Sequence, residues 1–190
     1  MRVIAGEFGG RRLRAPEGQE TRPTTDRVRE SMFNALGSLG AIEGSRVLDL
    51  FAGTGALGIE ALSRGATEAT FVESDPAALR TLAGNIADLG LADRATVVRA
   101  DALQHVSEMS GDRRYDLALA DPPYDFESWP ELLADLDASM VTIESGGAVA
   151  VPGGWRVVRE RRYGGTLVMI IELSHAGRAG EHAASAGEQL

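Results

Sequence analysis

The sequence VLDLFAGTGALG, residues Val47–Gly58, decides the fold of this 190-residue chain. An apolar run leads into a glycine-rich turn and the start of a helix, and Gly53, Gly55 and Gly58 satisfy the spacing G-x-G-x-x-G. Glu73 ends the next predicted strand, twenty residues after Gly53. Together these features are the fingerprint of a dinucleotide-binding βαβ unit. A motif this short identifies a ligand only together with its flanking residues.

Three acidic residues distinguish this unit from one that binds a pyrophosphate. Asp49 precedes the glycines, and its charge would repel a pyrophosphate seated on the loop N–H groups. It suits a ligand that ends in a free ammonium, such as S-adenosylmethionine. Glu73 is placed to accept hydrogen bonds from both ribose hydroxyls, and Asp101 to accept one from the adenine amine. Asp101 also fits as the N-cap of the following helix, and the two roles are compatible.

The motif D-P-P-Y at residues 121–124 follows the fourth predicted strand. Its prolines fix the backbone and leave carbonyl groups without local N–H donors. An exocyclic base amine becomes nucleophilic when acceptors hold its protons, and Asp121 and the Pro122 carbonyl can be those acceptors. Tyr124 can stack on a base taken out of its strand. The motif therefore predicts methylation of a planar amino group, although a rigid turn alone would also explain the two prolines.

Short apolar runs alternate with helical patterns from Arg46 onward, which is typical of a parallel sheet with helices on both faces. The predicted strands are Arg46–Leu50, Ala69–Glu73, Ala95–Arg99, Tyr115–Ala120 and Gly147–Val151, followed by a hairpin of Trp155–Arg162 and Thr166–Leu173. The predicted helices are Leu57–Ser63, Pro76–Leu89, Ala102–Glu108 and Ser128–Leu136. These elements predict an α/β protein with a mostly parallel, seven-stranded sheet that ends in an antiparallel hairpin.

Two elements are predicted ahead of the sheet. The first sixteen residues predict a small β-hairpin that turns near Gly9-Gly10. Asp26 is a candidate N-cap for a helix that ends at Leu39. The apolar stripe of this helix contains Val28, Met32, Phe33, Leu36 and Leu39. We therefore divide the chain into an N-terminal arm (1–25), a core domain (26–173) and a tail (174–190) whose composition predicts disorder.

The overall composition is that of a globular protein, with 44% hydrophobic and 25% charged residues. No apolar run is long enough to span a membrane, and the first residues lack the pattern of a secretory signal. We therefore expect a cytoplasmic protein. The sequence contains no cysteine and three scattered histidines, so no metal site is predicted.

Charge is unevenly distributed along the chain. The net charge is −9, yet residues 1–29 contain seven arginines and four acids, a local charge of +3 that leaves −12 for the remainder. A basic arm on an acidic body indicates a polyanionic partner such as RNA, although a solvated charged segment explains the pattern equally well. The candidate RNA-binding residues are Arg11, Arg12, Arg14, Arg22 and Arg27.

The sequence resembles a known family over residues 1–173. The resemblance is carried by MRVIAG at 1–6, TRPTTDRVRESMFN at 21–34, DLFAGTGALGIEALSRGA at 49–66, and D-P-P-Y. The chain is similar to the Rossmann-like class I S-adenosylmethionine-dependent methyltransferases, and within them to the RsmD-type 16S ribosomal RNA guanine-N2 methyltransferases. This resemblance implies methyl transfer to N2 of guanine 966 in 16S rRNA, within the small ribosomal subunit or its late precursor.

The resemblance also implies roles for individual residues. It implies a catalytic site of Asp121, Pro122 and Tyr124. It implies a cofactor site of Asp49, Phe51, Gly53, Gly55, Glu73, Ser74, Asp101, Ala102 and Asp121. Residues 22–33 are expected to close over the cofactor and face the RNA. The sequence departs from the family in the short connection Pro152-Gly153-Gly154 that follows the fifth predicted strand.

Three other functions are weighed against this resemblance. An N6-adenine methyltransferase acting on RNA or DNA also uses D-P-P-Y, but it usually carries a separate base-recognition region for which this chain has little room. A non-catalytic RNA-binding assembly factor could share the fold, although intact Asp49, Glu73 and Asp121 argue against it. A protein-glutamine methyltransferase would more often have asparagine at position 121. We expect the protein to be a monomer.

Overall fold

A computed structural model describes residues 1–15, 23–109 and 115–174. Within these ranges the strands are β1 (Arg46–Leu50), β2 (Glu68–Glu73), β3 (Ala95–Arg99), β4 (Tyr115–Ala120), β5 (Ala138–Ser145), β6 (Trp155–Tyr163) and β7 (Thr166–Leu173). The helices are α1 (Pro23–Ser38), α2 (Ala56–Ser63), α3 (Pro76–Leu89), α4 (Ala102–Ser107) and α5 (Trp129–Asp135). All but one of the predicted strands and all the predicted helices are confirmed to within a few residues at each end.

All seven strands belong to one sheet with the order β3-β2-β1-β4-β5-β7-β6. The first five in this order are parallel, whereas β7 is antiparallel to β5 and β6 is antiparallel to β7. The predicted fold class is therefore confirmed. The strand order reverses between β1 and β4, and open α/β sheets bind ligands outside the carboxyl ends of the strands at such a point.

Apolar clusters cover both faces of the sheet, because successive side chains of a strand point to opposite faces. On β1, Val47 belongs to the cluster that contains α1, α2 and α3. Leu48 belongs to the cluster that contains α4 and α5. Strands buried on both faces are nearly continuous apolar runs, which is why most of them could be predicted from the sequence.

The fifth strand was predicted wrongly at Gly147–Val151. The structure has no strand there and places β5 at Ala138–Ser145, paired with β4 on one side and β7 on the other. The middle of β5 is buried and rich in β-branched residues, which fit a strand with neighbours on both sides. Val149 and Val151 are partly buried against the α4–α5 face, which explains the apolar run without a strand.

The short connection noted in the sequence is also corrected. Because β5 ends at Ser145 and β6 begins at Trp155, the connection is the longer loop 146–154. It carries a glycine pair at each end and Pro152, a composition that favours turns over strands. The connection of three residues that the sequence suggested is therefore not the connection after the fifth strand.

The first helix begins earlier than predicted. It starts at Pro23, and proline suits a first helical position because its missing N–H would be unpaired there. Asp26 is therefore not the N-cap but lies in the first turn, where it pairs with Arg29 at 3.1 Å. Leu39 lies beyond the helix and is 43% exposed, so it is not part of the apolar stripe.

The N-terminal arm is a hairpin, as predicted for its described residues 1–15. Arg2 and Arg12 form an antiparallel bridge, and Val3 N donates to Arg11 O at 2.9 Å. The arm packs on α2, where the buried Glu60 carboxylate accepts from Ile4 N and Ala5 N. Residues 16–22 and the predicted disordered tail beyond Ser174 lie outside the described residues. Within the described ranges, no helix has the length and apolar content needed to cross a bilayer.

Candidate functional site

The carboxyl ends of β1 and β4 meet at the crevice where the strand order reverses. The loop after β1 takes positive φ angles of 59° at Phe51, 55° at Gly53 and 82° at Gly55. Among the described residues, Phe51 is the one non-glycine residue with a positive φ. Such strain concentrates at functional loops, and it makes the loop after β1 a candidate binding element.

Close packing explains two of the three motif glycines. A Cβ at Gly55 would lie 2.4 Å from Leu82 Cδ1, and a Cβ at Gly58 would lie 2.3 Å from Phe71 Cε1. A Cβ at Gly53 would have open space, so this position requires glycine for its positive φ. The motif therefore fixes the contact between α2 and the sheet as well as the shape of the loop.

We expect Gly58→Ala to lower the free energy of unfolding by about 1–3 kcal/mol, because the new methyl group overlaps the buried Phe71 ring. Chemical denaturation of the variant and the parent measures this difference. Gly37→Ala is the matched control, since no atom lies within 4 Å of a Cβ at that helical position. The control should be as stable as the parent or more stable. A Gly58→Ala protein as stable as the parent would contradict the packing.

Asp49 lies on β1 beneath α2, and it is 1% exposed. Its Oδ2 accepts a hydrogen bond from Gly58 N at 2.8 Å. Burial raises the pKa of Asp49 well above its usual value, the Gly58 bond opposes the rise, and the charges of Asp121 and Glu73 add to it. One oxygen of this carboxyl group therefore holds the start of α2, a role that the sequence did not reveal.

Glu73 ends β2, and its carboxylate accepts hydrogen bonds from the loop after β1 and from the loop after β2. Its Oε2 accepts from Gly53 N at 2.7 Å, and its Oε1 accepts from Ser74 N and Asp75 N, both at 2.8 Å. A carboxylate offers about four acceptor sites, so Glu73 keeps capacity for a ligand hydroxyl. The contacts also orient the carboxylate before any ligand binds.

A first cavity of about 550 Å³ opens beside Glu73. The predicted cofactor residues that line it are Phe51, Glu73, Ser74, Asp101 and Ala102. The other predicted cofactor residues, Asp49, Gly53, Gly55 and Asp121, are not among its lining residues. Its volume and mixed polar and apolar walls suit a small ligand such as a nucleoside.

Asp101 has the capping role that the sequence suggested. Its Oδ1 accepts from Leu103 N at 2.9 Å and from Gln104 N at 3.1 Å, so it is the N-cap of α4. Its side chain also borders the first cavity. The two predicted roles are therefore compatible in the structure.

An aromatic wall of the first cavity was missed by sequence reasoning. Phe126 packs edge to face against Phe51 and Trp129, with ring centroids 5.2 Å and 5.0 Å apart. Its backbone N–H donates to Pro123 O at 3.0 Å, which anchors the ring to the D-P-P-Y loop. The sequence signal was an aromatic residue two positions after that motif.

A second cavity of about 540 Å³ contains all three predicted catalytic residues, Asp121, Pro122 and Tyr124. Pro123 and Asp125, from the same loop, line the first cavity instead. The D-P-P-Y loop is therefore a partition between the two cavities. Such an arrangement can hold two reactants on opposite sides of one short loop.

Asp121 opens into the second cavity but is surrounded closely by protein. This desolvation raises the pKa of Asp121 to about 6. The carboxyl group is therefore mostly ionised at neutral pH and can accept hydrogen bonds. Tyr124 is 78% exposed, and its ring lies against Gly146, where a Cβ would come within 2.8 Å of Tyr124 Cδ1.

The second cavity also includes residues that the sequence analysis did not select. Val28 comes from α1, Glu144 from near the end of β5, and Tyr163 from the end of β6. The hydroxyl groups of Ser31 and Tyr163 form a hydrogen bond that joins the helix to the hairpin. A correctly placed fifth strand would have brought Glu144 beside Asp121, but the error at β5 hid it.

The predicted RNA-binding arginines differ in their surroundings. Arg14 forms a two-bond ion pair with Asp88, with both distances at 2.8 Å, and Arg11 donates to Asp88 O at 3.0 Å. Arg12 and Arg27 are exposed. Arg22 lies outside the described residues.

Comparison with known proteins identifies the family to which this chain belongs. The chain matches the family model described as Conserved hypothetical protein 95 over residues 1–172. Ribosomal RNA small subunit methyltransferase D of Escherichia coli (strain K12) is 38% identical over 189 residues, which cover 94% of this chain and 93% of that protein. The protein of the same name from Haemophilus influenzae is 32% identical over 174 residues, covering 86% and 89%.

A solved structure agrees with these sequence matches. The structure of "Putative methyltransferase yhhF" from Escherichia coli has a TM-score of 0.81 and 34% identity to this chain, covering 92% of this chain and 98% of that one. The resemblance predicted from the motifs is thereby confirmed. The chain belongs to the Conserved hypothetical protein 95 family, together with these ribosomal RNA methyltransferases.

Proposed function

We propose that this protein transfers a methyl group from S-adenosylmethionine to N2 of a guanine in 16S rRNA. The family resemblance implies guanine 966, within the small ribosomal subunit or its late precursor, and we propose that the protein acts in the cytoplasm. One observation carries the proposal: the D-P-P-Y loop divides a cavity suited to a nucleoside from a second cavity that contains Asp121 and Tyr124.

The first cavity fits S-adenosylmethionine better than a dinucleotide. Glu73 already occupies the N–H groups of Gly53, Ser74 and Asp75, so these donors are not available to a pyrophosphate. Its free acceptor capacity suits ribose hydroxyls, and Asp101 borders the same cavity for the adenine amine. Asp49 remains the proposed partner for the ligand ammonium, although it is buried and does not line this cavity.

The chemistry at the second cavity follows from the acceptors that line it. When bound, S-adenosylmethionine supplies a methyl group on a positively charged sulfonium. Asp121 and the Pro122 carbonyl accept hydrogen bonds from the two protons of the guanine amine and direct its lone pair across the loop. Tyr124 stacks on the base. As the new N–C bond forms and the bond between the methyl carbon and the donor sulfur breaks, the nitrogen becomes positive and releases one proton, for which Asp121 is a candidate base.

Transfer of tritiated methyl groups tests the proposed function. The substrates are small subunits from a strain that lacks the modification, the naked 16S rRNA, and double-stranded DNA. We expect incorporation into the small subunits and none into DNA, with Asp121→Ala protein as the blank. Incorporation into DNA alone would contradict an rRNA substrate.

We also propose that the N-terminal arm docks the RNA. Replacing Arg11, Arg12 and Arg14 with alanine should raise the apparent Michaelis constant for small subunits. The salt dependence should flatten by about one unit of slope for each phosphate that the arm no longer neutralises. Cofactor affinity should not change, because the arm bonds to α3 through the Arg14 backbone and Asn85, which alanine at position 14 preserves.

The control for the arm is Arg80→Ala, which removes an exposed positive charge from α3. Kinetics measured over a range of salt concentrations separate the arm variant from this control. An arm variant with the Michaelis constant and salt slope of the parent would show that these arginines are exposed to solvent and do not bind the RNA.

A further inference from the structure

Glu144 is a second acidic group in the cavity that contains Asp121, and the roles described so far do not use it. β4 and β5 are parallel, and Ala120 pairs in register with Ile143. Asp121 and Glu144 each follow one member of that pair, so they lie side by side at the carboxyl ends of the two strands. Both line the second cavity together with Tyr124.

The protein around Glu144 shields its carboxyl group from water, which disfavours the ionised form. Burial and the charge of Asp121 raise the pKa of Glu144 to about 8, and the positive charge of Arg29 opposes the rise. Arg29 is itself buried, and it is held by Asp26 and by the Arg2 carbonyl. A second acid placed beside Asp121, within electrostatic reach of the buried Arg29, is a specific arrangement, since carboxyl groups are rarely held against a desolvation penalty without a function.

Guanine and adenine differ at the position that such an acid would contact. The N2 amine of guanine lies next to N1–H, which is a hydrogen-bond donor. The N6 amine of adenine lies between N1 and N7, which are both acceptors. An acceptor oxygen beside Asp121 therefore complements guanine, whereas it faces a lone pair when an adenine amine occupies the same place.

We propose that Glu144 is a specificity-determining residue that accepts the N1–H of the target guanine while Asp121 binds the adjacent N2 amine. This assignment rests on the proposed function and deepens it. A donor that binds the ionised form of a carboxyl group favours ionisation. Guanine binding should therefore favour the ionised form of the Glu144 carboxyl group.

The test compares guanine with 2-aminopurine, which keeps the N2 amine but has an acceptor at N1. Small subunits are reconstituted with 16S rRNA that carries either base at the target position, and kcat/KM is measured for each. The parent should prefer guanine by about 10- to 100-fold, the range expected when one hydrogen-bonding group of the site is left without its partner. Glu144→Ala should lose activity on guanine by a similar factor and change little on 2-aminopurine.

Two further variants make the outcome specific. Glu144→Gln keeps an acceptor oxygen and should recover most of the guanine activity that Glu144→Ala loses. Glu131→Ala, an exposed acid in the first turn of α5, is the matched control and should behave as the parent. An equal loss on both bases in Glu144→Ala would overturn the proposal, as would a parent preference that survives the substitution.

Stability measurements separate a folding defect from lost recognition. Because the folded pKa of Glu144 is raised above its ordinary value, the parent loses stability as the pH rises from the ordinary glutamate range through about 8. Glu144→Gln removes this dependence and should unfold no more easily than the parent at pH 8. If the parent produces no N2-methylguanosine, the proposed function fails. If it does and the base preference does not depend on Glu144, only this inference fails.

Discussion

Replacing Asp121 with alanine is expected to lower the turnover of methyl transfer by about 100-fold or more, a loss typical of removing one preorganised polar group. Affinity for S-adenosylmethionine should change little, because Asp121 lines the second cavity and not the first. The acceptor acts most strongly as positive charge develops on the nitrogen, so the effect appears in kcat. Single-turnover kinetics and cofactor titration measure the two quantities separately.

The control for Asp121 is Asp93→Ala, which removes an exposed acid from the turn before β3. This variant should keep the kcat of the parent. An Asp121→Ala protein that methylates at the parent rate would remove Asp121 from the mechanism.

The pH dependence gives an independent check on Asp121. Burial raises its pKa to about 6, and the carboxylate accepts from the amine only when it is ionised. We therefore expect kcat to fall as the pH is lowered through about 6, at a saturating concentration of both substrates. A pH profile that stays flat down to pH 5 would contradict this role.

Replacing Glu73 with alanine is expected to weaken S-adenosylmethionine binding by about 1.5–3 kcal/mol, the range for a hydrogen bond to a charged group. The substitution removes the acceptor for ribose and also frees the N–H groups of Gly53, Ser74 and Asp75. Calorimetry on the parent and the variant measures the difference.

The matched control for Glu73 lies at the other end of the same strand. Glu68 is exposed and pairs with Arg46 at 2.7 Å, and exposed ion pairs contribute little. Glu68→Ala should therefore bind the cofactor as the parent does. Calorimetry that detects NAD binding and no S-adenosylmethionine binding would overturn the assignment of the first cavity.

The sequence predicted the fold well where local patterns reflect burial. β1 and β4 are mostly apolar and buried because both faces of the sheet are covered. The prediction of the fifth strand was wrong because residues 147–151 have an apolar pattern like that of a strand. The pairing with β4 and β7 determines that the strand is Ala138–Ser145, and this pairing is not visible in the local sequence. The start of α1 was missed for a related reason, since Asp26 resembles an N-cap while its partner is Arg29 in the same helix.

The residues of the candidate site also differ in whether local sequence patterns could predict them. The motif residues Glu73, Asp101 and Asp121 lie at cavities as the sequence implied. Glu144 and Tyr163 reach the second cavity only through long-range packing, and no local spacing connects them. The buried position of Asp49 and its bond to Gly58 likewise depend on how α2 docks onto the sheet.

The most direct measurement is the identity of the methylated nucleoside. Small subunits that lack the modification are incubated with the protein and labelled S-adenosylmethionine, and the 16S rRNA is then digested to nucleosides and separated. We predict that the label is found in N2-methylguanosine and that Asp121→Ala protein leaves that peak empty. Label in N6-methyladenosine, or no label in the rRNA with fully active cofactor binding, would contradict a guanine-N2 methyltransferase.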